Sequence, residues 1–235
     1  MNDSSPPAKR KRGRPSRITR ESIARGALAI GVNKATMPAL ASHLGVDHSS
    51  LYHHVKSRDE IILIAAEIAI KELNWRAPKA VTWREELIVL TDSIWALYDQ
   101  NPGLAEAFNQ TEVVPTTGIL SFAESVQRLQ DKGFPLDEAV VAVDMLVDMV
   151  KDSFIGWWSI VKTEQDGHLR KERMIEIWEA EADKTPEKAD QIRAMVNIMK
   201  AGPRKWWESK RDIALDGISV TRERNVALQK KVDNA

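Results

Sequence analysis

Residues Met37 to Val55 read MPALASHLGVDHSSLYHHV, and the spacing within this stretch decides the fold. Two short helices pack steeply against each other only where the elbow is tight and the touching side chain is small. Ala41 supplies the small side chain, Gly45 follows four residues on at the turn, and Leu51 falls six residues beyond that. Leu40, Leu44, Val46 and Val55 add apolar support at matching offsets. Glycine at the elbow meets the need for a left-handed backbone. The pattern predicts a helix-turn-helix whose second helix, from about His48 to Val55 with Asp47 as N-cap, turns Leu51 and Val55 inward. Its opposite face then carries His48, Ser49, Ser50, Tyr52, His53 and His54, with Lys56 just beyond. N-terminal residues of such a helix meet base edges in the major groove, so His48, Ser49 and Ser50 are the expected readers. Tyr52, His53, His54 and Lys56 are expected at phosphates or thymine methyls, together with Thr36 and Met37 where the first helix begins. Neighbouring histidines on a helix diverge by about 100° and no acid joins them at i+4, so no metal site is expected there.

Outward from this stretch the chain reads as helix after helix, because apolar positions recur at three- and four-residue spacings and never alternate. Thr19 caps a helix reaching Ile30, closed by Gly31, and another runs from Ser57 to about Leu73, before Pro78. Thr82-Trp83-Arg84-Glu85 is a capping box opening a helix to Gln100. Pro102 should start a short helix, and Thr116 or Thr117 should cap one ending at Gly133. Pro135 should open a long helix to about Lys162, with further helices near 168–183 and 186–200. Gly202-Pro203 should introduce a last one to about Arg224. The expected class is all-α.

A net charge of zero conceals an asymmetry: residues 1–65 carry +6 and the other 170 carry −6. A basic first quarter on an acidic body fits a protein that meets phosphates at one end. Residues 1–18 are rich in Ser, Pro, Lys and Arg and read as a disordered basic arm. Within them Arg12-Gly13-Arg14-Pro15 resembles an AT-hook, in which glycine lets the backbone sink into a narrow minor groove while Arg12 and Arg14 follow its potential. The absence of cysteine excludes disulfides, thiolate metal sites and a cysteine nucleophile. No apolar run is long enough to span a bilayer or to serve as a secretory signal, so a cytoplasmic location is expected. No Gly-rich phosphate loop, His-Glu-x-x-His or Gly-x-Ser-x-Gly is present, and no enzyme and no cofactor are expected.

Thr19-Arg20-Glu21-Ser22-Ile23, then Leu40-Ala41-x-x-Leu44-Gly45-Val46, then Leu51-Tyr52-x-His54-Val55-Lys56 with Ile61 beyond, resemble the N-terminal domain of the tetracycline-repressor (TetR) family. The likeness covers residues 19 to about 65 closely and the rest in layout. Tyr-x-His-Val-Lys is nearer to the tetracycline repressors themselves than to the commoner Tyr-x-His-Phe form. His53 stands where those repressors usually carry Trp, and Asn74 falls where they place a drug-binding histidine, so tetracycline does not carry over as ligand. The resemblance implies a homodimer, two recognition helices on a palindromic double-stranded operator, and release of DNA when a small-molecule effector binds. The implied division is a basic arm at 1–18, a helix-turn-helix DNA-binding domain at 19–65 and a helical ligand-binding and dimerisation domain at 66–235.

In that body Trp75, Trp95, Tyr98, Phe108, Phe122 and Trp157 could wall an apolar pocket for a flat or greasy molecule. The helix over 136–162 is apolar nearly all round and must be covered on more than one side. Val147, Phe154 and Trp158 on it, with Trp206, Ile213 and Gly217 on the last helix, are the expected dimer contacts in a four-helix interface. Asp144, Asp148 and Asp152 form an i, i+4, i+8 stripe that reads as a solvated face, with attraction of a cation as the alternative. Two other readings of the whole chain remain: a DNA-binding adaptor controlled by a protein partner, and an architectural protein that binds all duplexes alike.

Overall fold

The computed structural model describes residues 18–73, 80–161 and 167–233. The described elements are helical: α1 (Arg20–Ile30), α2 (Met37–Leu44), α3 (His48–Leu51), α4 (Arg58–Glu72), α5 (Trp83–Gln100), α6 (Leu104–Gln110), α7 (Thr116–Gln130), α8 (Leu136–Ile160), α9 (Arg170–Lys184), α10 (Ala189–Ala201) and α11 (Pro203–Asp233). Four helix starts are fixed by hydroxyl caps, each worth about 1 kcal/mol. The side chains of Thr19, Thr36, Ser57 and Thr82 accept from the backbone N–H groups of Ser22, Ala39, Glu60 and Glu85. Glu85 reaches back to accept from Thr82 and Val81, which holds its carboxyl below the usual range.

Two apolar clusters organise these helices. The first gathers Ile23, Ala27, Leu40, Ala41, Leu51, Val55, Ile61 and Ala65 from α1 to α4. The second gathers Ile62, Ala66, Ile70, Leu90, Ile94, Trp95, Leu146, Phe154 and Trp207, reaching from α4 to α11. The helix α4 serves both: Ile61 and Ala65 face one cluster, while Ile62, Ala66, Ala69 and Ile70 face the other. Such a helix cannot move without disturbing packing on both sides. A second joint lies between α1 and α6, where the Val32 N–H donates to the Pro102 carbonyl at 2.9 Å. Between α5 and α11 the buried Arg211 donates to Asp92 at 3.0 Å, and Arg204 pairs with the same carboxylate at 2.6 Å.

Four helix ends differ from the expected ones, each for a local reason. The helix α3 stops at Leu51, with a turn over Tyr52–His54, and Arg20 donates to the His54 carbonyl at 2.7 Å. The helix α6 begins at Leu104 rather than Pro102, whose carbonyl is engaged by Val32. Neither Thr116 nor Thr117 caps α7: Pro115 precedes it, and the Glu67 carboxylate on α4 accepts from the Thr116 and Thr117 N–H groups at 2.5 and 3.2 Å. The helix α11 continues to Asp233, since no glycine or proline follows Gly217, and Asn225 on it donates to Glu138 at 2.8 Å.

Candidate nucleic-acid interface and apolar cavity

Gly45 stands at φ 65°, ψ 37°, the left-handed conformation the elbow needs, and its N–H donates back to Ala41 and Ser42. Leu51 and Val55 are fully buried beneath α3. The opposite surface exposes His48, Ser49, Tyr52 and His53, with Ser50 and His54 half-buried. Tyr52 is 51% exposed, and its ring meets that of His48 edge-on at 5.1 Å. The structure therefore brings most of the expected DNA-facing residues onto one surface. Thr36 is engaged as the α2 cap but stays exposed, and Met37 packs partly against the first cluster. Arg12 and Arg14 lie outside the described residues, as do Trp75 and Asn74.

Sequence reasoning missed the bracket that sets Lys56. Glu60 accepts from the Lys56 N–H at 2.7 Å and from the Arg20 guanidinium at 2.5 Å. These two partners, the Lys56 N–H foremost, hold its carboxyl below the usual range. The signal was faint because Arg20 and Glu60 are 40 residues apart. A group with a depressed folded-state pKa stabilises above its unfolded value and loses that contribution as pH falls through the folded one. Glu60→Gln is accordingly expected to melt below the parent at pH 7 and to lose less stability than the parent as pH drops below ~4.3. Thermal melts across pH 3 to 7 check this; parallel acid curves would remove the carboxylate from the role.

Within the body, α5, α7 and α8 line an apolar cavity of about 280 Å³, open to solvent and near the small end of ligand sites. Tyr98, Phe108 and Phe122 line it, with Ile94, Val143 and Val147. Trp95 and Trp157 do not: Trp95 packs on Phe154 at 5.2 Å and beside Trp207, and Trp157 meets Trp206 at 6.4 Å. Val147 thus faces the cavity, while Phe154 is buried between Trp95 and Tyr98. Of the other expected dimer contacts, Trp158, Ile213 and Gly217 are exposed, and Trp206 is half-buried with the Lys210 ammonium 3.6 Å over its ring. Ile213 is 75% exposed and Val141 64%, and a trough of about 450 Å³ runs between α8 and α11 past Val141, Met145, Ala214 and Gly217. Asp144, Asp148 and Asp152 are all exposed. Among the described residues no cluster of acids and histidines could hold a metal, and no helix is long and apolar enough to cross a membrane.

A left-handed glycine elbow between two short helices, set at one end of a larger helical body, is the build of a helix-turn-helix protein. Against solved structures the fold is that of the TetR-family regulators. ActR of Streptomyces coelicolor, solved in complex with actinorhodin, superposes with a TM-score of 0.72 over 88% of this chain and 97% of that one, at 20% identity. TetR of Acinetobacter baumannii gives 0.63 over 88% and 99%, at 16% identity. No family model matches the sequence. In sequence the chain is similar to an HTH-type transcriptional repressor of Mycobacterium tuberculosis, 27% identical over an alignment of 143 residues that covers 57% of this chain and 55% of that one. An HTH-type transcriptional regulator of Saccharopolyspora erythraea is 28% identical over an alignment of 102 residues that covers 38% of this chain and 43% of that one. The chain spans about half the length of the curated relatives it matches.

Proposed function

We propose that this chain is a TetR-family transcriptional repressor that binds a palindromic operator as a homodimer and leaves it when a small, largely apolar molecule enters the cavity between α5, α7 and α8. The observation that carries the reading is the exposed polar surface of α3 and its following turn, held out from the first cluster by Gly45 and Leu51. His48, Ser49 and Ser50 read bases and Tyr52, His53, His54 and Lys56 meet phosphates or thymine methyls, with Thr36 and Met37 beside them and Arg12 and Arg14 reaching into the minor groove. The apolar trough around Val141, Ile213 and Gly217, with Trp158 on α8, takes a second copy, since an exposed face of this kind marks an interaction surface. Tyr98, Phe108 and Phe122 contact the effector.

A path from cavity to DNA supports release by ligand. Pro115, Gly118 and Phe122 of the first turns of α7 wall the cavity, and Glu67 of α4 caps that same helix end. The helix α4 in turn buries Ile61 and Ala65 beneath the recognition unit. The working division is an arm at 1–18, a DNA-binding unit at 19–65 and a sensing and pairing body at 66–235, with α4 shared across the last boundary. The protein acts in the cytoplasm, without enzymatic activity or cofactor. Selection from a pool of random duplexes tests the proposal: a two-fold symmetric consensus is the expected outcome, and recovery of unselected sequence would overturn it in favour of an architectural role.

A further inference from the structure

Few of the side chains lining the cavity are polar, and their chemistry specifies more than an apolar ligand. Among the residues lining it Lys151 is the one charged side chain; Tyr98 and Ser121 supply the hydroxyls and the remainder are apolar or glycine. Lys151 is half-buried, and its ammonium is held at 3.1 Å by Asp148, whose own side chain is mostly in solvent. Tyr98 is 6% exposed. Burial, with smaller contributions from the Asp148 and Asp152 carboxylates, pushes its phenol far above the usual range. The phenol is thus a neutral donor at any physiological pH, and it lines the same cavity as Lys151.

We propose that this cavity selects apolar molecules bearing one acidic group, with the Lys151 ammonium pairing the anion and the Tyr98 hydroxyl donating to it. An ammonium and a phenol lining an otherwise apolar chamber offer hydrogen-bond donors to an acceptor on the ligand. A charge-assisted bond is stronger than a neutral one, so an anion gains more from these donors than a neutral acceptor does. The Asp148 contact engages one of the three ammonium N–H donors and leaves two for a ligand. The acidic stripe outside, Asp144, Asp148 and Asp152, opposes a second negative group.

The inference rests on the cavity being the ligand site, and the experiment separates the two. The probes are anilinonaphthalene sulfonate and its neutral parent phenylnaphthylamine, which differ by the sulfonate alone and fluoresce on leaving water. Fluorescence titrations are run on the parent chain, Lys151→Met, Lys151→Arg and Gly118→Leu, the last placing a side chain in the cavity at a helical position with room beside Ile70. Thermal melts establish that each variant is folded. The expected result is at least tenfold tighter binding of the sulfonate by the parent, retained in Lys151→Arg, lost in Lys151→Met, with both probes excluded by Gly118→Leu. Equal binding of the two probes by the parent, both excluded by Gly118→Leu, overturns the acid selectivity and leaves the cavity as ligand site. Binding indifferent to Gly118→Leu overturns both.

Discussion

Gly103→Val is expected to melt roughly 8 °C below the parent and to weaken the link between the cavity and the DNA-reading helix. Gly103 stands at φ 86°, a conformation costly for a β-branched residue. A Cβ built there would lie 2.5 Å from the Asn33 backbone nitrogen and 2.7 Å from its Cβ. Backbone cannot swing aside as a side chain tip can, so the segment over 31–35 must part from the α5–α6 corner and give up the bond from Val32 to Pro102. Strain and lost packing together cost about 2–4 kcal/mol, and each kcal/mol moves the melting point of a chain this size by about 2–4 °C. Calorimetry measures the first effect. Ligand-induced release of a labelled duplex measures the second. A melting point within 2 °C of the parent would show that this joint carries no load.

Trp207→Ala is expected to cost more, about 3–5 kcal/mol and roughly 6–20 °C. Trp207 is wholly buried and stacks beside Trp95 at 6.4 Å, Trp95 meets Phe154 at 5.2 Å, and Phe154 touches Tyr98 at 5.5 Å. Removing the indole leaves a void where α11 crosses α5, and neighbours held by one another fill it poorly. Trp207→Phe should lose about half as much. The indole Nε1 has no partner among the described residues, so the ring contributes through area and packing alone. Equal melting of Trp207→Ala and the parent would contradict this arrangement of α11.

What was legible in the chain was local. Thr19, Ser57 and the Thr82–Glu85 box announce their helices through hydroxyls three residues ahead of the N–H groups they accept from, and the Gly45 elbow follows from a spacing of a few residues. The polar surface around Tyr52 was readable for the same reason: burying Leu51 and Val55 settles what is left outside. Features made by distant partners were not readable. Glu67 caps α7 from 49 residues away, Arg20 and Glu60 meet across 40, and Gly103 owes its meaning to Asn33. The cavity was half visible. An aromatic residue at helical spacing can face a chamber or a core, and only the packing of α5, α7 and α8 sorts Tyr98, Phe108 and Phe122 from Trp95 and Trp157. Val147 shows the converse, since α8 is apolar on most sides and periodicity alone does not say which side meets a partner.

Everything functional here depends on α3 and its turn reading sequence. The most direct test compares affinity for the selected duplex with affinity for a scrambled one, at fixed salt, in the parent, in Ser50→Ala with Tyr52→Ala, and in Lys56→Ala. Base-edge contacts are worth about 1–3 kcal/mol each, so the double variant should lose at least about tenfold in that ratio. Lys56→Ala should instead weaken both duplexes alike and reduce the salt slope by about 0.9. An unchanged ratio in the double variant, with the protein folded and still bound to DNA, would contradict the account.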